Sequence, residues 1–442
     1  MQEYNSDKIL TIEAPPSKSI SHRALLCAAL ADGESCLDNV LQSEDILRTR
    51  ECLLSLGVKI ETKGSLLLVK GRGKKFNFSN KICLYGGESG TTFRLITGLL
   101  CGARGKFEFV PAGRMGERPI DGLEKAVKNT GTTFTYLKKA KCPPFILDSV
   151  GLNGGCLQVS LEQSSQYLSG LILGAVLAKR EITIEVIGKK AVSWPYVGLT
   201  LEVLENFGGK FKVQVFENNK WLNKDFREIK AVIPGKIRFI VFPKTLKSTC
   251  FKVEGDFSNA SYLLGAGVLG RKPIYVQGLN LKSLQGDRAI LDILKNMGAK
   301  LEIKKEGVVA YPSFLTGIEV DMGLCPDLVP TVAVLASLAK GKTVIKNVAH
   351  LRIKESDRLE AMAKEISKTG TKTYIEADKL EIVPQEHLRK KCYFHSYNDH
   401  RVAMSLSLYR FKGIEVILDN PDCVAKSFPN FFSIINEILA YA

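Results

Sequence analysis

One kind of segment returns six times along this chain. A short polar cluster rich in Ser, Asp, Asn, Gln or Gly leads into an almost wholly apolar stretch of helical length, usually closed by Gly. The six begin at Pro15 (PPSKSISHRALLCAALADG), Gly86 (GGESGTTFRLITGLLCG), Glu162 (EQSSQYLSGLILGAVLA), Gly255 (GDFSNASYLLGAGVLG), Pro326 (PDLVPTVAVLASLAKG) and Tyr397 (YNDHRVAMSLSLYRFKG). They recur at about 70 residues, with one longer interval between the third and fourth, and a fixed period of this kind sets the whole fold. A helix that is apolar all round must be buried. The Ser, Asp or Asn ahead of it is a good N-cap and the Gly behind it a good C-cap.

Between these helices lie alternating or β-branched runs that predict strands: SLLLVKG, GKFEFVPAG, CLQVSLE, EITIEVIG, PIYVQGL and TVIKNV. A second, more polar helix recurs with Leu at helical spacing and a closing Gly. It starts near Asp45, Asp121, Val197, Asp287 and Asp357, and reads as an amphipathic outer helix. The pattern predicts an α+β chain of two domains, each with three buried helices at its centre and sheets and outer helices around them. The longer interval holds a basic stretch, about Asn218 to Ser248, that reads as irregular and marks the domain boundary. The expected first domain is 15–250, and the second is 1–14 plus 251–442, with an active site in the cleft between them.

At 442 residues the chain is long enough for two or more cores. No apolar run has the roughly 18 residues that span a bilayer, and the N-terminus carries no basic-then-apolar leader, so a cytoplasmic protein with no membrane partner is expected. The eleven cysteines are scattered, with no C-x-x-C pair and no Cys/His zinc spacing, which predicts reduced, mostly buried thiols and no metal. Lys and Arg outnumber Asp and Glu by 62 to 46, an excess that suits an acidic partner. The basic residues are neither gathered in a stripe nor interleaved with aromatics, which favours small anions over nucleic acid.

Helix N-termini carry partial positive charge and unpaired N–H groups, so six of them aimed at one space would attract anions. As single features these clusters are caps; Lys18, Arg23, Arg94 and Arg401 in or beside them argue for more. Lys18 offers a point charge and Arg23 a planar fork for carboxylate or phosphate. Arg118, in RMGERPI, is either an anion clamp or the partner of Glu117. Ser164, Ser165 and Gln166 open the third buried helix as a neutral phosphate cradle. Ser193 and Tyr196 add a hydroxyl and a phenol, or form a simple turn. The run from His350 to Arg358 packs six ionisable groups into nine positions. Within it Glu355 is a candidate acid/base, with Lys354 and Arg358 holding anions beside it. Asp327 is either an N-cap or a base for a substrate hydroxyl. Arg401 and Lys426 add cations near the C-terminus.

Taken together, PPSKSISHR, RMGERPI, SSQYL, SWPY, KESDRL, NDHRVAM and AKSFPNF resemble, in order and spacing, the signature segments of the 5-enolpyruvylshikimate-3-phosphate synthase family, from about Ala14 to Phe432. The resemblance implies a two-domain inside-out α/β barrel with three βαβαββ units per domain and buried parallel helices. It implies an enzyme, acting as a monomer without cofactor, that transfers the enolpyruvyl group of phosphoenolpyruvate to the 5-hydroxyl of shikimate 3-phosphate. By the same resemblance Lys18, Arg118, Arg358, Arg401 and Lys426 hold phosphoenolpyruvate, with Gly90 and Gln166 nearby. Ser19 and Arg23 meet the carboxylate end of shikimate 3-phosphate, and Ser164, Ser165 and Ser193 meet its phosphate. Tyr196, Gln166, Asp327 and Lys354 meet its ring and hydroxyls. Glu355 is expected to protonate the methylene, Asp327 to deprotonate the hydroxyl, and Lys18 to assist phosphate departure.

Two positions depart from the family pattern: Glu88 where Asn is commonest, and His350 where Asn precedes the W-R-V-K-E segment. Gly90 is kept where an insensitive subgroup carries Ala, which implies inhibition by glyphosate. The sister transferase acting on UDP-N-acetylglucosamine would carry a reactive Cys in a mobile loop, and the corresponding Pro111–Gly116 stretch has none. A non-catalytic nucleic-acid binder would account for the net charge of +16 but has no use for Glu355.

Overall fold

The protein is described as a computed structural model covering residues 9–441. It divides into two compact units, Ser17–Val253 and Met1–Pro16 with Glu254–Ala442. Twelve α-helices occur among the described residues: α1 Lys18–Leu30, α2 Glu44–Ser55, α3 Gly90–Leu100, α4 Asp121–Val127, α5 Gln166–Ala175, α6 Pro195–Asn206, α7 Phe257–Leu269, α8 Ile290–Asn296, α9 Val329–Ser337, α10 Arg358–Ser367, α11 His400–Leu406 and α12 Phe431–Tyr441. The six apolar stretches are α1, α3, α5, α7, α9 and α11, and nearly every residue of each is buried. The more polar α2, α4, α6, α8 and α10 follow the second recurring pattern, and each keeps exposed or half-exposed positions.

Caps explain where the buried helices start. The side chains of Ser17, Ser89, Asp256 and Asp399 each accept a backbone N–H from the first turn of α1, α3, α7 and α11. Helices α3 and α5 then approach through glycine. A Cβ on Gly98 would sit 2.5 Å from the Gly170 carbonyl carbon, and one on Gly102 would sit 2.0 Å from the Gly174 oxygen. Backbones this close leave no room for side chains, so this seam fixes the spacing of the two helix starts.

The sheets repeat one topology. In Ser17–Val253 the strand orders are Cys250–Lys252, Glu34–Asp38, Leu66–Lys70, Lys59–Lys63; then Ile82–Gly87, Arg104–Pro111, Phe145–Val150, Thr133–Tyr136; then Gly155–Ser160, Ile182–Ile187, Ile237–Phe242, Lys210–Glu217, Lys220–Asn223. The first strand of each runs parallel to the second and the rest are antiparallel, as βαβαββ units require. The other unit repeats this twice, with Leu10–Glu13 and Glu319–Asp321 as first strands.

The expected α+β architecture of sheets around buried helices is present, with every sheet open among the described residues. Two finer expectations need correction. The sheet of the sixth repeat has only two strands, Lys391–Phe394 and Glu415–Leu418, and is followed by α12; a further two-stranded pair joins Leu246–Lys247 to Ala31–Asp32. The basic stretch 218–248 is not irregular: Ile237–Phe242 lies between two strands of the five-stranded sheet, with alternate side chains buried. The chain passes between the units at Val253/Glu254.

Candidate functional site

In Ser17–Val253 the cluster opening α1 places Lys18 on its first turn, where its Nζ donates to Asp45 Oδ2 at 2.9 Å with both groups buried. Asp45 stands at the start of α2, and its carbonyl accepts from Thr92 Oγ1 at 3.3 Å, tying α1 and α2 to the first turn of α3. His22 sits below Lys18 and hydrogen-bonds Thr49 at 2.8 Å. Burial is the main reason its pKa falls to about 3, so the ring is neutral and adds no charge.

The α3 start carries Gly90, and the Arg118 guanidinium lies flat against it, with Nη1 2.6 Å from where a Cβ would be. Gln166, the first residue of α5, donates to Thr91 Oγ1 at 2.9 Å and accepts from Arg94 at 3.0 Å. Ser164 Oγ accepts the Gln166 N–H at 3.2 Å, and Ser165 is buried beside it. Gly90, Arg118, Ser164, Ser165 and Gln166 therefore gather where α3 and α5 begin.

Arg23 is committed to protein instead. Its Nε donates to Thr200, one terminal nitrogen to the Ser19 carbonyl and the other to the Tyr196 carbonyl, at 2.7, 2.7 and 2.8 Å. Burial lowers its pKa only to about 10, so it stays charged at neutral pH. Of its five N–H groups two remain beyond these three bonds. Ser193 takes the left-handed conformation (φ 56°) just ahead of α6, and its carbonyl accepts the Tyr196 N–H at 3.2 Å.

In the other unit Arg358 is a hub, 1% exposed. It donates to Asp327 Oδ1, Glu355 Oε2 and Asp399 Oδ2, each at 2.8 Å. Asp327 takes a second cation, Arg401, at 2.8 Å. Burial opposes ionisation of Asp327, but Arg401 and Arg358, helped by Lys354, outweigh it and hold the carboxyl well below the usual range. Burial likewise opposes the charge on Arg358, and Asp399, Glu355 and Asp327 more than reverse that. Asp399 caps α11 and accepts from Ser356 at 2.9 Å, so one buried carboxylate fixes Arg358, Ser356 and the α11 start. Lys426 is buried at the end of the turn Pro421–Lys426, which packs on α11. His350 is buried in the turn Ala349–Ile353.

Sequence reasoning missed Asp45, Thr200 and Asp399. Asp45 opens an outer helix and Asp399 lies inside the quoted NDHR segment, but nothing in the sequence names the cation that each neutralises, 27 and 41 positions away. Among the described residues no cluster of three or more His, Cys, Asp or Glu is arranged to hold a metal.

The model of the family described as EPSP synthase (3-phosphoshikimate 1-carboxyvinyltransferase) matches residues 9–435. The chain belongs to the EPSP synthase family. It is 36% identical over 432 residues to the 3-phosphoshikimate 1-carboxyvinyltransferase of Pseudoalteromonas atlantica, covering 97% of this chain and 96% of that one. It is 38% identical over 435 residues to that of Haemophilus influenzae, again with 97% and 96% covered. A solved structure of EPSP synthase from Acinetobacter baumannii superposes with a TM-score of 0.74 at 23% identity, covering 98% of this chain and 96% of that one, a likeness of fold.

Proposed function

We propose that the protein transfers the enolpyruvyl group of phosphoenolpyruvate to the 5-hydroxyl of shikimate 3-phosphate and releases phosphate, a step of aromatic amino acid biosynthesis. The observation that carries the proposal is the convergence of Asp327 and Glu355 on Arg358, with Arg401 alongside, in a chain of this family.

The reaction is an addition followed by an elimination. The 5-hydroxyl oxygen bonds to the substituted carbon of phosphoenolpyruvate as the methylene gains a proton, giving a tetrahedral intermediate. Loss of phosphate and of one methyl proton restores the double bond. Glu355 supplies the first proton and recovers one in the second step, and Asp327 takes the hydroxyl proton. Lys18, Arg118, Arg358, Arg401 and Lys426 offset the charge of phosphoenolpyruvate, and Lys18 supports the departing phosphate. Ser19 and Arg23 take the shikimate carboxylate, and Ser164, Ser165 and Ser193 the phosphate. Gln166, Tyr196 and Lys354 take the ring and hydroxyls, and Gly90 leaves room beside Arg118.

The same reading has the protein act in the cytoplasm, as a monomer, on small molecules and not on nucleic acid. No described helix is long and apolar enough to cross a membrane. The test is phosphate release on mixing the chain with shikimate 3-phosphate and phosphoenolpyruvate. Release that depends on both compounds and is lost in Glu355→Ala is expected; no release with both present overturns the proposal.

A further inference from the structure

Strands Glu34–Asp38 and Cys250–Lys252 run parallel, with Cys36 directly opposite Cys250. The register is held from both ends. The Cys36 N–H donates to the Thr249 carbonyl and the Val253 N–H to the Asp38 carbonyl, both at 3.0 Å. The Asn39 amide adds a 2.8 Å bond to the Val253 carbonyl. Paired strands lie about 4.8 Å apart, within the roughly 4.4–6.8 Å Cα separation that a disulfide spans. The Cys250 side chain is near enough to the Cys36 thiol to help push its pKa up. Cys250 is exposed on the edge strand of its sheet, and Cys36 is half-exposed on its neighbour. The sequence spacing of the cysteines gives no sign of this pair: residues 214 positions apart (250 − 36) are juxtaposed by the fold.

We propose that Cys36 and Cys250 form a modification site at which a hydroperoxide closes an intrachain disulfide. The Cys250 sulfur attacks the peroxide; the O–O bond breaks, leaving a sulfenic acid on Cys250 and releasing water from hydrogen peroxide. The Cys36 sulfur then attacks the Cys250 sulfur; the S–S bond forms, the S–O bond breaks, and the hydroxyl leaves as a second water with the Cys36 proton. Two thiols are oxidised by two electrons and one peroxide is reduced. The order follows from the surroundings. Partial burial, then the Cys250 sulfur, then Asp38 and Glu34 push the Cys36 thiol up, so it is the poorer first nucleophile, and the more exposed Cys250 meets the oxidant. The closed loop would span most of the unit Ser17–Val253 and restrict its unfolded state.

The experiment treats the full chain with hydrogen peroxide, alkylates it, digests it without reduction and maps the peptides by mass. A Cys36–Cys250 cross-linked peptide that dithiothreitol abolishes is expected, with a melting temperature several degrees higher in the oxidised chain. In Cys36→Ser, dimedone should trap a sulfenic acid on Cys250, while in Cys250→Ser residue 36 should stay alkylatable. Both thiols alkylating after peroxide as fully as before it, or Cys250 pairing only with another chain, overturns the proposal.

Discussion

Gly90→Ala is the most discriminating perturbation, because the structure says what the added methyl meets. An ideal Cβ would lie 2.6, 2.8 and 2.9 Å from Nη1, Cζ and Nη2 of Arg118, so it faces the whole guanidinium plane and not one atom. Ordinary van der Waals contact begins near 3.4 Å, so the group must retreat by about 0.8 Å. The retreat is cheap for folding, since the colliding atoms end a flexible side chain and Ala suits a helix better than Gly by up to about 1 kcal/mol. It is expensive for binding if Arg118 holds phosphoenolpyruvate, because a misplacement of about 1 Å at a positioned group can cost on the order of 100-fold. Steady-state kinetics with each substrate varied in turn should show KM for phosphoenolpyruvate rising roughly tenfold or more. KM for shikimate 3-phosphate should stay within about twofold and thermal stability should be unchanged. An unaltered KM for phosphoenolpyruvate would remove Arg118 from its role; an equal rise in both constants would mean that the methyl disturbs the helix start as a whole.

Four other substitutions probe separate parts of the argument. Arg358→Ala leaves Asp327, Glu355 and Asp399 without their shared cation and should lower unfolding free energy by about 3–5 kcal/mol in denaturant titration. Glu355→Gln should cut kcat by roughly 10²–10⁴ while leaving both KM values within a few-fold, and a variant with full rate ends the acid/base assignment. Gly98→Val should cost about 1–3 kcal/mol or more, measured by thermal melts, because its Cβ would strike the Gly170 backbone. Asp287 is buried and bonded to Ser258; burial, then Asp327, raise its pKa to about 7 from 3.8. A raised carboxyl contributes stability that is full below about pH 4 and is lost as pH rises through about 7, so Asp287→Asn should gain on the parent chain by roughly 1 kcal/mol or more between pH 5 and pH 8. A constant difference across that range refutes it.

Much of this is legible in the sequence, for reasons specific to the residues. The buried helices announce themselves because stretches such as LILGAVLA or VPTVAVLASLA have no polar face to turn to water. Their starts are legible because Ser17, Ser89, Asp256 and Asp399 are caps by chemistry. Strand Ile237–Phe242 was hidden because its alternation, IRFIVF, is embedded in lysines that read as a solvated stretch. The two-stranded sheet of the sixth repeat is hidden because the repeat pattern lives in the helices and says nothing of how many strands follow. The cations of the site could be read from sequence, but their partners could not. Lys18 meets Asp45 across 27 positions and Arg358 meets Asp399 across 41, and only the fold sets such pairings. The same holds for Cys36 and Cys250.

Those partners change how the chemistry must run. A chain of net charge +16 does not keep bare cations waiting for phosphates: Lys18 rests on Asp45, Arg401 on Asp327, and Arg358 on three carboxylates. This follows from the cost of burying an unpaired charge. Held by two guanidiniums, Asp327 is a weak base, and it would serve the hydroxyl poorly in that state. A phosphate or carboxylate drawn to Arg358 and Arg401 competes for the same N–H groups, weakens their hold on Asp327 and lets its pKa rise toward the range where it can accept a proton. On the proposed function, binding of the anionic donor is therefore what makes the base competent. The ion pairs of Asp327 with Arg358 and Arg401 keep this base quiet until the donor engages the same guanidiniums.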